Sequence, residues 1–217
     1  MSAELCPSNP KRGDIQMILD RMNCIAFLGT GIVFSVLTTM PMPALAVGLD
    51  MNAVNKMDRT AFTKTLGGIF ENSPWVAEKA WDVRPFASLD ELHTAMVTVV
   101  QNAPIEQQVS LLRAHPDLAG KEAQAGALTA SSTVEQASAG LNALSKEELA
   151  RLSKLNADYR TKFGFPFIIA VRNHTKEGIF FEFERRLANP TDIEVANDLK
   201  QVYTITRLRL NKLFGSN

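Results

Sequence analysis

Four times along this chain a serine or threonine stands three residues ahead of a glutamate: Ser88–Glu91, Ser132–Glu135, Ser145–Glu148 and Thr191–Glu194. Such a pair can satisfy two of the backbone N–H groups that a new helix leaves unpaired. The hydroxyl takes the third residue's N–H and the carboxylate reaches back. The pattern predicts helix starts through most of the chain. Ser88 opens a helix through Leu92, Met96, Val99 and Val100. Ser145 opens one carrying Leu149, Leu152, Leu155 and Tyr159 at three- and four-residue spacing, ending near Gly164. Thr191 opens a long one through Leu199, Val202, Ile205, Leu208 and Phe214. Ser73 before Pro74 and Trp75 reads as a cap ahead of a first-turn proline. Pro104 starts a helix with Ile105, Val109, Leu111 and Leu112, and Thr175 one that runs to about Leu187. No segment alternates long enough for a strand, and the one β-like run, Phe165 to Val171, is interrupted by Pro166. The expected fold is all-α, a single compact domain of about six to eight helices with no internal repeat.

This punctuation begins at Met51. Upstream, Lys11, Arg12 and Arg21 precede an apolar run from Cys24 to about Leu37, then Pro41, Pro43 and Ala44-Leu45-Ala46. That order resembles a secretory signal peptide, although the run is short for a membrane span, which needs about 20 residues. Three readings stay open for residues 1–50: a targeting segment, a loosely attached extension, or a translation start assigned too far upstream. The domain proper is expected over residues 51–217. Its expected location is the cytoplasm, with export or membrane contact as the alternative if residues 24–47 are retained.

Composition removes whole classes of function. The 23 basic and 23 acidic side chains cancel, so no nucleic-acid partner is expected, because phosphate binding calls for a basic excess. Both cysteines, Cys6 and Cys24, lie upstream of the domain, which leaves it no thiolate ligands and no cysteine nucleophile. The three histidines, His93, His115 and His174, show no HxxxH or HxH spacing. Chemistry without a metal is favoured.

Two stretches depart from helices joined by polar loops. In Arg113-Ala114-His115-Pro116-Asp117-Leu118-Ala119-Gly120-Lys121, the proline forces His115 out of helical geometry. An imidazole held at a helix end can face a cleft and titrate near neutral pH. It can equally serve the helix dipole and nothing else. In Phe163-Gly164-Phe165-Pro166-Phe167-Ile168-Ile169-Ala170-Val171, a helix-ending glycine leads into an apolar, non-helical run. Its backbone groups need partners, which either a planar polar ligand or the protein itself can supply. Glu135 is ambiguous in the same way. By spacing it caps its own helix, or it serves a ligand at that helix's N-terminus.

Taken together, these motifs resemble one family. His115-Pro116-Asp117-Leu118-Ala119-Gly120-Lys121, Ser132-Thr133-Val134-Glu135-Gln136 with Ala139-Gly140-Leu141, and Phe163 to Val171 are similar to the 2-oxo-4-hydroxy-4-carboxy-5-ureidoimidazoline (OHCU) decarboxylases of ureide metabolism. Asn72-Ser73-Pro74-Trp75 and Leu208-Arg209-Leu210 add to the match, which runs unbroken from about Met51 to Phe214. The resemblance implies an all-α, cofactor-free homodimer that acts after uricase and hydroxyisourate hydrolase and yields (S)-allantoin. By motif position, His115 is implied as the catalytic acid. Pro116, Ser132, Thr133, Val134, Glu135, Gln136, Phe167, Ile168, Ile169, Ala170 and Val171 are implied as substrate-binding surfaces. Arg209 is implied as the C-terminal helix arginine that enters the site, ahead of Arg207.

The chemistry fits those residue types. Decarboxylation leaves an electron pair, and no Schiff-base lysine motif or thiamine diphosphate site is legible to receive it. The ureidoimidazoline's own ring C=N bond can take it. The protein then has to position the substrate, control charge and deliver one proton, with His115 as donor, Glu135 and Gln136 as hydrogen-bond partners and Arg209 as a planar cationic fork. A non-catalytic helical binding module, in which His115 and Glu135 are structural, is the alternative from another class of function.

Overall fold

The computed structural model describes residues 49–215. Residues 1–48, including both cysteines and the signal-like run, lie outside the described residues. Ten α-helices follow one another: α1 Met51–Lys56, α2 Arg59–Leu66, α3 Trp75–Ala80, α4 Leu89–Gln101, α5 Ile105–Arg113, α6 Lys121–Gln124, α7 Ala130–Ser138, α8 Lys146–Phe163, α9 Lys176–Arg186 and α10 Thr191–Phe214. Short 3-10 turns cover Trp81–Val83 and Val171–Asn173, and no strand occurs among the described residues. The fold is all-α, as the sequence indicates, with more and shorter helices than expected.

The long helix α10 organises the domain, packing against α4, α5 and α8. Its inward face buries Leu199, Val202, Thr206, Arg209 and Leu210. At the other side of the core, Tyr159 of α8 meets Phe163, Phe167 and Phe183, and Phe167 stacks on Phe183 at 3.9 Å between ring centroids.

The predicted caps divide. Ser145 forms the full reciprocal box with Glu148, and Gly164 ends α8 in the left-handed region at φ 77°. Ser88 accepts from the Glu91 N–H, but the Glu91 carboxylate takes the Ala87 N–H instead of reaching Ser88. Thr175 caps α9. Ser73 caps nothing through its side chain, because Pro74 already sits in helical geometry ahead of α3. The boxes at Ser132 and Thr191 do not form. Thr129 caps α7, so Ser132 and Glu135 lie inside that helix, and α10 follows Pro190 without a side-chain cap. In both places the glutamate is drawn away by a buried arginine.

The folded region also reaches upstream of Met51. Asp50 caps α1 by accepting from the Ala53 N–H, and the Leu49 N–H donates to the Leu213 carbonyl at 3.2 Å.

Candidate active site

Three elements converge on one cleft: the end of α5, the inner face of α7 and the extended run after α8, with α10 as the floor. The cleft is lined by His115, Pro116, Leu118, Ser132, Glu135, Gln136, Phe167, Ile168, Ile169, Val171, Ile205 and Arg209.

His115 enters because α5 stops at Arg113 and Pro116 prevents its continuation. Its Nδ1 lies 2.9 Å from the Leu111 carbonyl. A carbonyl can only accept, so Nδ1 carries the hydrogen and Nε2 is the basic nitrogen of the neutral ring. The two readings of this histidine therefore hold at different atoms: Nδ1 closes the helix end, and Nε2 is left for the cleft. Burial drives the imidazole down to about 4, against the Leu111 carbonyl and the Glu71 carboxylate, which favour the charged form. The resting ring is thus neutral near pH 7. A neutral ring is poised to accept a proton before it donates one, the role that the sequence suggests for it.

The turn after His115 is pinned on both sides. Asp117 receives Arg160 Nε at 2.8 and 3.0 Å, and the Ala119 N–H donates to Gln136 Oε1 at 2.8 Å. A Cβ at Gly120 would fall 2.6 Å from the Asp117 Cβ, which explains the glycine in this motif. Gln136 therefore supports the histidine turn as well as lining the cleft.

Arg209 projects from α10 and is 7 % exposed. Its Nε and Nη2 grip Glu135 at 2.8 and 2.7 Å, and Nη2 also donates to Ser132 Oγ at 3.3 Å. Nη1 donates to the Ile69 carbonyl at 3.3 Å and lies 2.7 Å from Glu71 Oε2. Every edge of the guanidinium is engaged. Arg209 is in the cleft, but as the clamp of Glu135 and not as the free fork that the sequence suggested. The Glu135 oxygens, held in place, keep further lone pairs for N–H or O–H groups of a ligand. Arg207 instead pairs with Asp90.

The extended run owes its shape to a buried ion network. Arg186 of α9 donates from Nη1 to the Ile168 carbonyl at 2.8 Å, and Asp198 Oδ1 accepts from the Ile168 N–H at 3.0 Å. Arg186 pairs with both Glu194 and Asp198 at 2.5 Å, and the Tyr159 hydroxyl donates to Glu194 and lies 3.0 Å from Asp198 Oδ2. Burial pushes the Asp198 carboxyl up to about 7, with Arg186 pulling the other way. Gln201 Oε1 takes the Ala170 N–H at 2.9 Å. The Ile169 and Val171 N–H groups, which alternate with these, have no partner among the described residues. Both residues line the cleft.

Not every predicted site residue reaches this cleft. Within a helix, residues three and four apart share a face, so Ser132, Glu135 and Gln136 point in while Thr133 and Val134 point out. Thr133 faces a separate groove with Leu128, Leu141 and Leu149, and Val134 is 49 % exposed. Ala170 does not line this cleft; it lines a small adjoining cavity with Glu135, Ile169, Val171 and Ile205. In the other direction, sequence reasoning missed Leu118, Ile205 and above all Glu71. Glu71 immediately precedes Asn72-Ser73-Pro74-Trp75, and that adjacency was the available signal. Among the described residues no cluster of histidine, cysteine, aspartate and glutamate is arranged to hold a metal.

An all-α domain with a cleft that sets a few polar groups among apolar walls, a neutral buried histidine and an arginine-clamped glutamate defines a class: small helical enzymes built for proton transfer on a compact substrate. The comparisons narrow it. The OHCU decarboxylase family pattern matches residues 55–211, and the chain belongs to that family. The 2-oxo-4-hydroxy-4-carboxy-5-ureidoimidazoline decarboxylase of Haloferax volcanii is 43 % identical over 168 residues, covering 77 % of this chain and 98 % of that protein. The mouse (Mus musculus) protein of the same name is 40 % identical over 169 residues, covering 78 % and 95 %. Among solved structures, an (S)-allantoin synthase superposes with TM-score 0.62 at 29 % identity, covering 76 % of this chain and 53 % of that one.

Proposed function

We propose that this chain is a cofactor-independent carboxy-lyase that converts 2-oxo-4-hydroxy-4-carboxy-5-ureidoimidazoline into (S)-allantoin and CO2, the closing step from urate to allantoin. One observation carries the reading: His115, Glu135 and Arg209, remote in sequence, share one cleft with Ile169 and Val171.

The steps balance on the substrate itself. The bond from the ring carbon to its carboxylate breaks, and its electron pair becomes a C=C bond to the neighbouring ring carbon. That carbon's C=N electrons move to the ring nitrogen, which takes a proton from solvent. The hydroxyl then loses its proton as a carbonyl forms, and the neighbouring carbon gains one on a single face. One proton is consumed overall. His115 Nε2, neutral at rest, takes the hydroxyl proton and returns it to the adjacent carbon, a role worth roughly 10²–10⁴-fold. Glu135 accepts from ring and ureido N–H groups, and the Ile169 and Val171 N–H groups donate to substrate oxygens. Pro116, Leu118, Phe167 and Ile205 wall the site against water.

The same reading includes a homodimer, supported by the family resemblance, and a cytoplasmic location. No described helix is long and apolar enough to cross a membrane. Mass spectrometry of the native N-terminus distinguishes this location from export. Function is tested by supplying freshly generated OHCU to the purified chain and following chiral allantoin by circular dichroism. (S)-Allantoin should form faster than in the spontaneous reaction, and EDTA should not slow it. A rate equal to the spontaneous one would refute the assignment.

A further inference from the structure

We propose that Glu71 is a positioning residue for this reaction: its buried carboxylate holds the edge of Arg209 that Glu135 does not use, and supplies the negative charge against which His115 holds a proton during turnover. The role rests on the decarboxylase reading above.

Glu71 is 2 % exposed, in the segment between α2 and α3. Its Oε1 accepts from the Thr129 hydroxyl at 2.7 Å, and its Oε2 meets Arg209 Nη1 at 2.7 Å without an aligned hydrogen-bond donor. Burial pushes this carboxyl up, but Arg209 and Thr129 outweigh burial and hold it below its ordinary value, so it is ionised. One guanidinium is therefore shared by two carboxylates, Glu71 and Glu135. Glu135 is partly exposed and shares its outer groove with Arg172 and Lys212, whereas Glu71 is fully buried with only Arg209 as its cation, so a further cation formed near Glu71 is favoured.

The group able to become that cation is His115. The ionised groups acting on it are Glu71 and, with the opposite sign, Arg209 of α10; from α5 the Leu111 and Leu112 carbonyls favour its charged form. Glu135 of α7 acts on the same cluster through Arg209. With the cleft empty, burial wins and the ring is neutral. Once CO2 has left, the ring takes the hydroxyl proton, and the ionised Glu71 carboxylate is the charge that favours the imidazolium at that moment. As the carbonyl forms, the proton on Nε2 is delivered to the adjacent ring carbon. Glu71 makes the first transfer favourable without cancelling the second.

The test reads His115 directly. Side-chain NMR titration of the imidazole in the unmodified protein and in Glu71→Gln follows its protonation midpoint in the absence of substrate, with melting temperature measured in parallel. Loss of the Glu71 charge should lower the midpoint by about one unit, a roughly tenfold fall in proton affinity. In turnover, kcat near neutral pH should fall about tenfold or more while KM stays within about threefold. Glu71→Asp, which keeps the charge, should hold the midpoint near the unmodified value and retain at least about a third of kcat. It also serves where glutamine does not fold. An unchanged midpoint or unchanged kcat in folded Glu71→Gln, or a midpoint lost in Glu71→Asp, would overturn the proposal. Absence of turnover in the unmodified protein, beside a midpoint that responds to Glu71, would refute the decarboxylase reading instead.

Discussion

Arg209 and Glu135 meet across 74 residues of sequence through two parallel hydrogen bonds, Nε to Oε1 at 2.8 Å and Nη2 to Oε2 at 2.7 Å. The contact ties α10 to α7 and fixes a carboxylate at the cleft wall. Thr129 caps α7, so Glu135 is spared that duty.

Replacing Glu135 by alanine should therefore cost far more than a lost helix cap. Removing one partner of a buried pair typically costs about 3–5 kcal/mol, moderated here because Glu71 still faces Arg209. Turnover should fall by at least about 100-fold. Denaturant unfolding and steady-state kinetics on Glu135→Ala and Glu135→Gln check both. A variant with near-normal kcat would return Glu135 to a purely structural role.

His115→Asn keeps a hydrogen-bonding group at the end of α5 and removes the group that takes and returns the proton. We expect a kcat loss of about 10²–10⁴-fold with native circular dichroism. Product chirality should decay with the rate, because the spontaneous reaction protonates both faces. A folded variant with full, stereospecific turnover would remove His115 from the mechanism.

The same residue sets a pH dependence of stability. The folded-state value of His115, about 4, lies below its ordinary 6.5, so between these the unfolded chain binds a proton that the folded chain does not. Stability should accordingly fall as pH falls from about 6.5 toward 4, with this group contributing up to about 3 kcal/mol. Urea unfolding at several pH values should show this slope in the unmodified protein and a shallower one in His115→Asn. Equal slopes would contradict a buried neutral ring.

The start of the domain is tested by truncation. A chain beginning at residue 48 keeps Leu49 and Asp50 and should match the full chain in melting temperature and turnover. Beginning at Met51, it loses the Asp50 cap, worth about 0.5–2 kcal/mol, and the Leu49 bond to Leu213. It should remain folded and active, melting a few degrees lower. Aggregation of the residue-48 version would show that residues 1–47 belong to the fold.

What the sequence determined by itself is local. The Ser145–Glu148 box, the stop at Gly164, the break at His115-Pro116 and the apolar spacing of α4, α8 and α10 all rest on interactions within a few residues, so they can be read without knowing what lies opposite. Tertiary structure decided the use of side chains whose local option competes with a distant partner. Ser132–Glu135 and Thr191–Glu194 have the same spacing as Ser145–Glu148, yet neither forms a box. Glu135 lies beside buried Arg209, and Glu194 beside buried Arg186. A cap exposed to water is worth about 1 kcal/mol, whereas a buried guanidinium left without its carboxylate costs several. The larger penalty prevails, and its location depends on which helices the core brings together. Glu71 is a case of the same kind: the motif beside it in sequence draws attention to the segment, but nothing local announces that Arg209 will pair with it.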